Sequence, residues 1–222
     1  MKSLRPVYAS APYFIRISFA KLPEVNMDGR TRNAYDKDAA AFAEDWLAQP
    51  LPQDMYALLQ QYFTPGPSAD IGCGAGRDTA WLNANGFAAL GYDASAGLLG
   101  EARRRYPLIK FTEAALPALA EVPNDHFQNV LCETVIMHLE PQNLAAAAKR
   151  LLDILRVGGV LYLSWRVTAG ESQRDKHGRL YAAFDDGEVL AAYAGHALLL
   201  NHQETSLSSG KTIQRLIVRK TQ

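Results

Sequence analysis

The chain has 222 residues, of which 48% are hydrophobic and 21% are charged, and its 23 basic side chains equal its 23 acidic ones. These values are typical of a soluble globular protein with one large domain. The lack of a basic excess disfavours nucleic acid and anionic membranes as partners of the whole chain.

Two cysteines, Cys73 and Cys132, are too few for a disulfide framework and lack metal-ligand spacing. No apolar run reaches membrane-spanning length, and the N-terminus lacks an apolar segment followed by a small-residue cleavage site. We therefore expect an untargeted, soluble, cytoplasmic protein without a metal site.

The first part of the chain divides into an extension and a helical segment. Residues 1–34 are predicted to be an N-terminal extension of unclear structure, and the first 26 of them are hypothesised to be dispensable for folding. Apolar residues at helical spacing predict one helix from Tyr35 to Leu47 and another from Met55 to Phe63. These helices would form a cap over residues 35–64, and residues 65–222 would form the main domain.

A glycine-rich stretch begins the main domain. A short apolar run ends at Ile71, glycines follow at positions 72, 74 and 76, and a segment with helical spacing comes next. This pattern predicts a strand, a tight turn and a helix. Glycines at alternate positions let the backbone approach a ligand closely, and the first amides of the helix would face the same space.

Two phosphate-binding motifs share this layout and do not fit. The dinucleotide fingerprint G-x-G-x-x-G would need a glycine where the chain has Arg77. A P-loop would need a glycine at Thr205, five residues before Gly210. The turn is therefore predicted to bind something other than a diphosphate.

The acid Asp70 precedes the first glycine by two residues and favours a ligand that carries an ammonium group. The sequence D-I-G-C-G-A-G-R-D, which starts at Asp70, resembles motif I of the class I S-adenosylmethionine-dependent methyltransferases. In that family the turn wraps the methionine part of the cofactor. An ordinary strand–turn–helix corner is the alternative interpretation.

Asp93 follows a predicted second strand, Phe87 to Tyr92, and lies 23 residues beyond Asp70. This is near the interval at which an α/β nucleotide site places its ribose-binding acid. The sequence Gly91-Tyr92-Asp93-Ala94-Ser95 is similar to motif II of the same family. The alternative role for Asp93, as N-cap of the next helix, is not needed because Ser95 can cap it.

Later segments extend the resemblance. After a third strand at residues 108–112, the sequence from Glu113 to Pro117 resembles the family's acidic-small-small-Leu-Pro pattern, whose small residues flank the adenine. After a fourth strand from Phe127, Cys132 and Glu133 would lie beside the cofactor sulfur.

His138 belongs to a Met-His-Leu sequence after the fourth strand and is a weak candidate for a general base. A structural or cofactor-side role is the favoured alternative, because nothing in the sequence pairs it with a carboxylate. In the family, a tyrosine placed like Tyr35 often reaches the cofactor. For Tyr35 and Trp46 the favoured alternative is packing between helices.

A fifth strand is predicted from Val160 to Trp165, and the loop after it, residues 166–179, is polar and irregular. Its Arg166 and Arg179, with nearby Tyr181, would suit an acceptor that bears a carboxylate or phosphate. A mobile, solvated loop is the equal alternative. A final helix from Asp185 and a hairpin of two strands are predicted to end the chain.

The alternation of strands and helices predicts a doubly wound, mostly parallel α/β sheet. The resemblance implies a Rossmann-like fold with seven strands in the order 3-2-1-4-5-7-6, preceded by the helical cap. It also implies a methyltransferase that uses S-adenosyl-L-methionine and yields S-adenosyl-L-homocysteine. A small-molecule acceptor is expected, because the sequence lacks a basic face, an added nucleic-acid module and an Asn/Asp-Pro-Pro-Tyr motif after the fourth strand. The expected cofactor-binding residues are Tyr35, Asp70, Gly72, Cys73, Gly74, Gly76, Arg77, Asp93, Ala94, Glu113, Ala114, Ala115, Leu116, Cys132 and Glu133.

Two other functions remain open at this point. The protein could bind S-adenosylmethionine for regulation without turnover, or it could be a nicotinamide-dependent oxidoreductase. A monomer or homodimer without nucleic-acid or membrane partners is expected.

Overall fold

A seven-stranded sheet forms the centre of the computed structural model, which describes residues 27–222. Two further strands of two residues each, Gln173–Arg174 and Leu180–Tyr181, pair with each other outside the sheet. The strands of the sheet are β1 Ser68–Ile71, β2 Ala89–Asp93, β3 Phe111–Glu113, β4 Phe127–Cys132, β5 Leu155–Arg166, β6 Ala197–Thr205 and β7 Thr212–Arg219.

The sheet order is 3-2-1-4-5-7-6, as the resemblance implied. Strands β1 to β5 are parallel, and β7 lies antiparallel between β5 and β6. The predicted Rossmann-like fold is therefore confirmed. The order reverses between β1 and β4, and a doubly wound sheet opens a crevice at the carboxyl ends of the strands at such a point.

Seven helices flank the sheet within residues 27–222. They are α1 Gly29–Lys37, α2 Ala39–Ala48, α3 Gln53–Tyr62, α4 Arg77–Ala84, α5 Ala96–Arg105, α6 Leu144–Asp153 and α7 Asp186–Ala191. Short 3₁₀ turns cover Ile136–His138 and Pro141–Asn143. None of these helices is long and apolar enough to cross a bilayer.

Hydrophobic clusters cover both faces of the sheet. In β4, Val130 and Cys132 pack with residues of α6 and α7, whereas Leu131 between them packs with residues of α3 and α4. Successive side chains of a strand point to opposite faces, so a strand buried on both faces reads as a continuous apolar run. This explains the runs of apolar residues in β4 and β5.

The first helix begins earlier than predicted. The Asp28 side chain accepts hydrogen bonds from the amide and the hydroxyl of Thr31, and it therefore caps a helix that starts at Gly29 rather than Tyr35. The single helix predicted from Tyr35 to Leu47 is interrupted at Asp38, where φ is −118° and ψ is 28°. The hypothesis about residues 1–26 lies outside the described residues, and the division of the chain at residues 34 and 64 stays a prediction.

Helix α1 is tied to the loop after β5. Asp28 forms an ion pair with both terminal nitrogens of Arg174, at 2.8 and 2.9 Å. The buried Thr31 hydroxyl accepts a hydrogen bond from the Leu180 amide at 2.8 Å. The polar loop predicted at residues 166–179 therefore contains a short hairpin strand that is anchored to α1.

Two strand boundaries also differ from the sequence prediction. Strand β3 begins at Phe111, because Leu108 is 99% exposed and has no core to pack against. Strand β5 begins at Leu155 instead of Val160, so the glycines at 158 and 159 lie within a strand. Its buried first residue, Leu155, pairs with Phe127, and the register then shifts before Val160 pairs with Asn129.

Candidate functional site

A cavity of about 570 Å³ opens at the carboxyl ends of the parallel strands. Residues that follow β1, β2, β3, β4 and β5 line it, together with α1, α2 and the turn between β6 and β7. The cavity therefore lies at the reversal of strand order, where ligands bind in doubly wound sheets.

Most of the predicted cofactor residues line this cavity. Those on the wall are Tyr35, Gly72, Cys73, Gly74, Arg77, Asp93, Ala94, Ala114, Ala115, Leu116 and Glu133. Those away from the wall are Asp70, Gly76, Glu113 and Cys132. The general-base candidate His138 and the acceptor candidates Arg166, Arg179 and Tyr181 also reach the wall.

The turn after β1 requires glycine for steric reasons. Gly72 has a φ of +77°, and a Cβ built there would lie 2.2 Å from Cγ2 of Val135. At Gly74, where φ is +53°, a Cβ would lie 2.9 Å from the Trp46 ring. A larger residue would therefore combine backbone strain with a collision.

Asp93 is held at the cavity wall by two backbone amides. The Gly74 amide donates to one carboxylate oxygen and the Ser95 amide to the other, both at 2.8 Å. Burial raises the pKa of Asp93 above its ordinary value, whereas the two amide hydrogen bonds oppose this shift. Ser95 caps α5 through a hydrogen bond from the Leu98 amide, as expected, so the Asp93 side chain is not the cap.

Asp70 lies beneath the turn instead of on the wall. It is 3% exposed, and its carboxylate accepts a hydrogen bond from the Thr79 hydroxyl at 2.7 Å. Burial, with a further contribution from the charge of Asp78, raises the pKa of Asp70 to about 8. Its predicted contact with an ammonium group stays a prediction that this position does not support.

The surface after β3 is small and apolar. Ala114, Ala115 and Leu116 line the cavity, as does Leu98, and the Ala114 amide donates to the Asp93 carbonyl at 2.9 Å. Glu113 is the last residue of β3 and is exposed away from the wall. The predicted contact of Glu113 with adenine is therefore not favoured by its position.

Glu133 brings a half-buried carboxyl group to the wall after β4. Its Oε2 accepts a hydrogen bond from the Ser164 hydroxyl, and burial raises its pKa to about 7. The next residue, Thr134, has a φ of +54°, which is an uncommon and costly conformation for a residue with a side chain. Cys132 ends β4 as a buried free thiol within the core.

His138 is held in one tautomer by its two partners. Nδ1 lies 2.5 Å from the Leu180 carbonyl, which can only accept, so Nδ1 carries the proton. Nε2 lies 3.0 Å from the Tyr35 hydroxyl and accepts its hydrogen bond. Burial lowers the pKa of His138 to about 4. The neutral ring with both nitrogens engaged fits the structural role better than that of a free base.

The two arginines after β5 differ in their partners. Arg179 forms an ion pair with Asp175 at 2.6 Å, and its guanidinium lies over the rings of Tyr35 and Phe42, 5.3 and 4.7 Å from their centroids. Arg166 lies over the ring of Tyr181, 4.9 Å from its centroid. Both guanidinium groups are therefore fixed against aromatic rings on the wall.

Sequence reasoning did not assign several wall residues to the site. Trp46 packs on the glycine turn through its contact at Gly74, in addition to the helix packing that was expected. The turn between β6 and β7 adds Ser206, Ser208, Ser209 and Lys211. The hairpin and its place beside β5 were predicted, but its turn was not assigned to the site.

The sheet order, the glycine turn and the cavity acid Asp93 define a Rossmann-like protein with the fold of the class I methyltransferases. Residues 69–159 match the family described as a methyltransferase domain. The trans-aconitate 2-methyltransferase of Rhodopseudomonas palustris strain HaA2 is 38% identical over 104 residues, which cover 44% of this chain and 37% of that protein. The match thus spans little more than a third of the relative's length.

Solved structures are similar over more of the chain. The 1,6-didemethyltoxoflavin-N1-methyltransferase of Burkholderia thailandensis, solved with S-adenosylhomocysteine, has a TM-score of 0.69 and 19% identity and covers 96% of this chain and 94% of its own. The [4+2]-cyclase SpnF has a TM-score of 0.57 and 16% identity, with 76% and 81% covered. Residues 69–159 thus match a methyltransferase domain, and the chain has the fold of the class I S-adenosylmethionine-dependent methyltransferases.

Proposed function

We propose that the protein transfers a methyl group from S-adenosylmethionine to a small-molecule acceptor. The observation that carries this proposal is the Asp93 carboxylate, which two amides hold at the cavity wall after β2, next to the glycine turn. The names of the trans-aconitate and didemethyltoxoflavin relatives support the same activity.

The wall residues fit this cofactor. Each oxygen of Asp93 accepts one amide hydrogen bond within residues 27–222, and a carboxylate has further acceptor sites for both hydroxyls of a ribose. Ala114, Ala115 and Leu116 would pack against the adenine. The glycine turn and Arg77 would hold the methionine part, and the same contacts would hold the product S-adenosylhomocysteine.

When bound, S-adenosylmethionine supplies an electrophilic methyl group. The chain contributes by holding the acceptor in line and by keeping bulk water away. Tyr35, Phe42 and Trp46 form an aromatic cluster with centroid separations of 5.1 to 5.9 Å, and its Tyr35 and Trp46 line the cavity. This cluster would shield one side of the reacting groups.

Glu133 is the wall group best matched to a proton transfer near neutral pH. Its pKa is raised to about 7, which places both protonation states within reach, whereas His138 already uses both ring nitrogens. Glu133 would hold the proton of an acceptor that ionises during transfer. Its hydrogen bond from Ser164 keeps the carboxyl group in place.

The test is transfer of a radiolabelled methyl group from S-adenosylmethionine to small molecules of a cell extract. The Asp93→Asn variant should lose transfer by about tenfold or more, because a neutral amide is a weaker acceptor and presents an N–H group to the amides. Asp45→Asn, at an exposed position on α2, is the matched control. Label that stays on the cofactor although the cofactor binds would contradict turnover and favour a regulatory role.

Oxidation of a reduced nicotinamide cofactor, together with no binding of S-adenosylmethionine, would instead favour an oxidoreductase. The cytoplasmic location, the lack of nucleic-acid partners and the monomeric or homodimeric state are proposals from the sequence.

A further inference from the structure

Four cationic side chains within residues 27–222 line the cavity, and they differ in how they are neutralised. Arg77 is paired with Asp78 at 2.9 Å, and Arg179 is paired with Asp175 at 2.6 Å. Arg166 and Lys211 make no ion pair with any other residue of the range 27–222. A cation that is partly removed from water is costly unless an anion compensates it. Of these two cations without an ion pair, Arg166 is half-buried and Lys211 is exposed.

Arg166 is nevertheless held in a defined place. Its backbone pairs with Ile213 across β5 and β7, and Lys211 lies two residues before that partner. The guanidinium lies 4.9 Å from the centroid of the buried Tyr181 ring, which is itself 5.2 Å from the His138 ring. Stacking uses the face of the guanidinium and leaves its N–H groups at the edge for another partner.

The strand order separates this cation from the proposed ribose acid. Asp93 ends β2 and Arg166 ends β5, and the order 2-1-4-5 places three strand spacings between them. At about 4.8 Å per spacing, the two positions are about 14 Å apart along the edge of the sheet. The Glu133 carboxyl, after β4, lies between them. Arg166 is therefore on the acceptor side of the cavity.

We propose that the acceptor carries a carboxylate and that Arg166 binds it. The planar fork of a guanidinium matches the two oxygens of a carboxylate, and such charge-assisted pairs are strong and directional. Lys211 adds a second positive charge at the same side of the cavity. This inference rests on the proposed function, because it assigns the second substrate of that reaction.

The experiment first separates this inference from the proposed function. Calorimetry with S-adenosylhomocysteine on the wild-type protein and on Arg166→Gln should give equal affinities. Failure of the wild-type protein to bind would contradict the proposed function itself. A loss of affinity confined to Arg166→Gln would place Arg166 on the methionine carboxylate and would overturn only the present inference.

The second stage uses the protein saturated with S-adenosylhomocysteine and three carboxylate probes, trans-aconitate, succinate and benzoate. At least one should bind the wild-type complex at millimolar concentration, and its methyl ester should not. Arg166→Gln should weaken that binding by about tenfold or more, and Arg166→Lys, which keeps the charge without the fork, by less. Arg219→Gln, at an exposed position on β7, should bind like the wild type.

Three results would overturn the inference. They are no binding of any carboxylate probe, equal binding of an acid and its ester, and binding of inorganic phosphate in place of the carboxylates.

Discussion

The Tyr35 hydroxyl lies 3.0 Å from Nε2 of His138 and joins the first helix to the turn after β4. His138 donates from Nδ1 to the Leu180 carbonyl, and the Leu180 amide donates to Thr31 of the same first helix. Arg179 adds a longer hydrogen bond to the Tyr35 hydroxyl at 3.3 Å. These hydrogen bonds therefore connect the first helix, the turn after β4 and Leu180 in one network beside the cavity.

Tyr35→Phe should lower the free energy of unfolding by about 1–3 kcal/mol, because it leaves the buried Nε2 of His138 without a donor. Tyr62→Phe is the matched control, since the Tyr62 hydroxyl makes no hydrogen bond to another residue of the range 27–222. Urea unfolding of both variants measures the difference. Equal stabilities of the two variants would show that the Tyr35–His138 hydrogen bond does not contribute to the free energy of unfolding.

Gly72→Ala tests the steric account of the turn. Gly86 has a similar φ of +85°, and a Cβ built there would have no atom within 4 Å. Gly86→Ala should therefore lower the free energy of unfolding by about 1–2 kcal/mol, from backbone strain alone. Gly72→Ala should cost about 1–3 kcal/mol more, because its Cβ meets Val135.

Adding Val135→Ala to Gly72→Ala should recover part of the stability lost to the collision, but none of that lost to backbone strain. A double-mutant cycle by urea unfolding measures the coupling. The account fails if Gly72→Ala is no more harmful than Gly86→Ala.

Asp70→Asn should change how stability depends on pH. The pKa of Asp70 is raised to about 8 in the folded protein from an ordinary value of 3.8. Between these values the folded state holds a proton that the unfolded state has lost, so this carboxyl makes stability fall as pH rises. Asparagine removes this dependence.

The variant should therefore gain stability relative to the wild type as pH rises from 5 to 8, by at most about 1.4 kcal/mol per pH unit. Urea unfolding at several pH values, with Asp45→Asn as control, is the measurement. A difference that is constant with pH would mean that Asp70 is ionised in the folded protein.

The fold was predictable because alternating apolar and helical segments define the order of elements, and the motif at Asp70 resembles that of a family with this sheet order. Parallel strands end at one edge, so residues after β1 to β5 were expected to meet, and most of them do. The start of α1 was missed, although the Asp28 cap on the Thr31 amide is a local signal, and only the ion pair of Asp28 with Arg174 depends on the fold.

The side-chain directions were harder to predict. Asp70 and Asp93 both lie near strand ends, yet Thr79 holds one beneath the turn, whereas two amides hold the other at the wall. The predicted order already placed β7 beside β5, but Lys211 was not assigned to the cavity, since that assignment needs the register in which Arg166 pairs with Ile213. Such long-range pairings are not encoded in any local pattern.

The most direct test of the account is calorimetric binding of S-adenosylhomocysteine to the wild-type protein, Asp93→Asn and Asp45→Asn. The wild type and Asp45→Asn should bind with equal affinity, and Asp93→Asn should bind about tenfold more weakly or worse, because a charged acceptor at the proposed ribose site is lost. Equal affinity for Asp93→Asn, or no binding by the wild type, would contradict the assignment of this cavity to the cofactor.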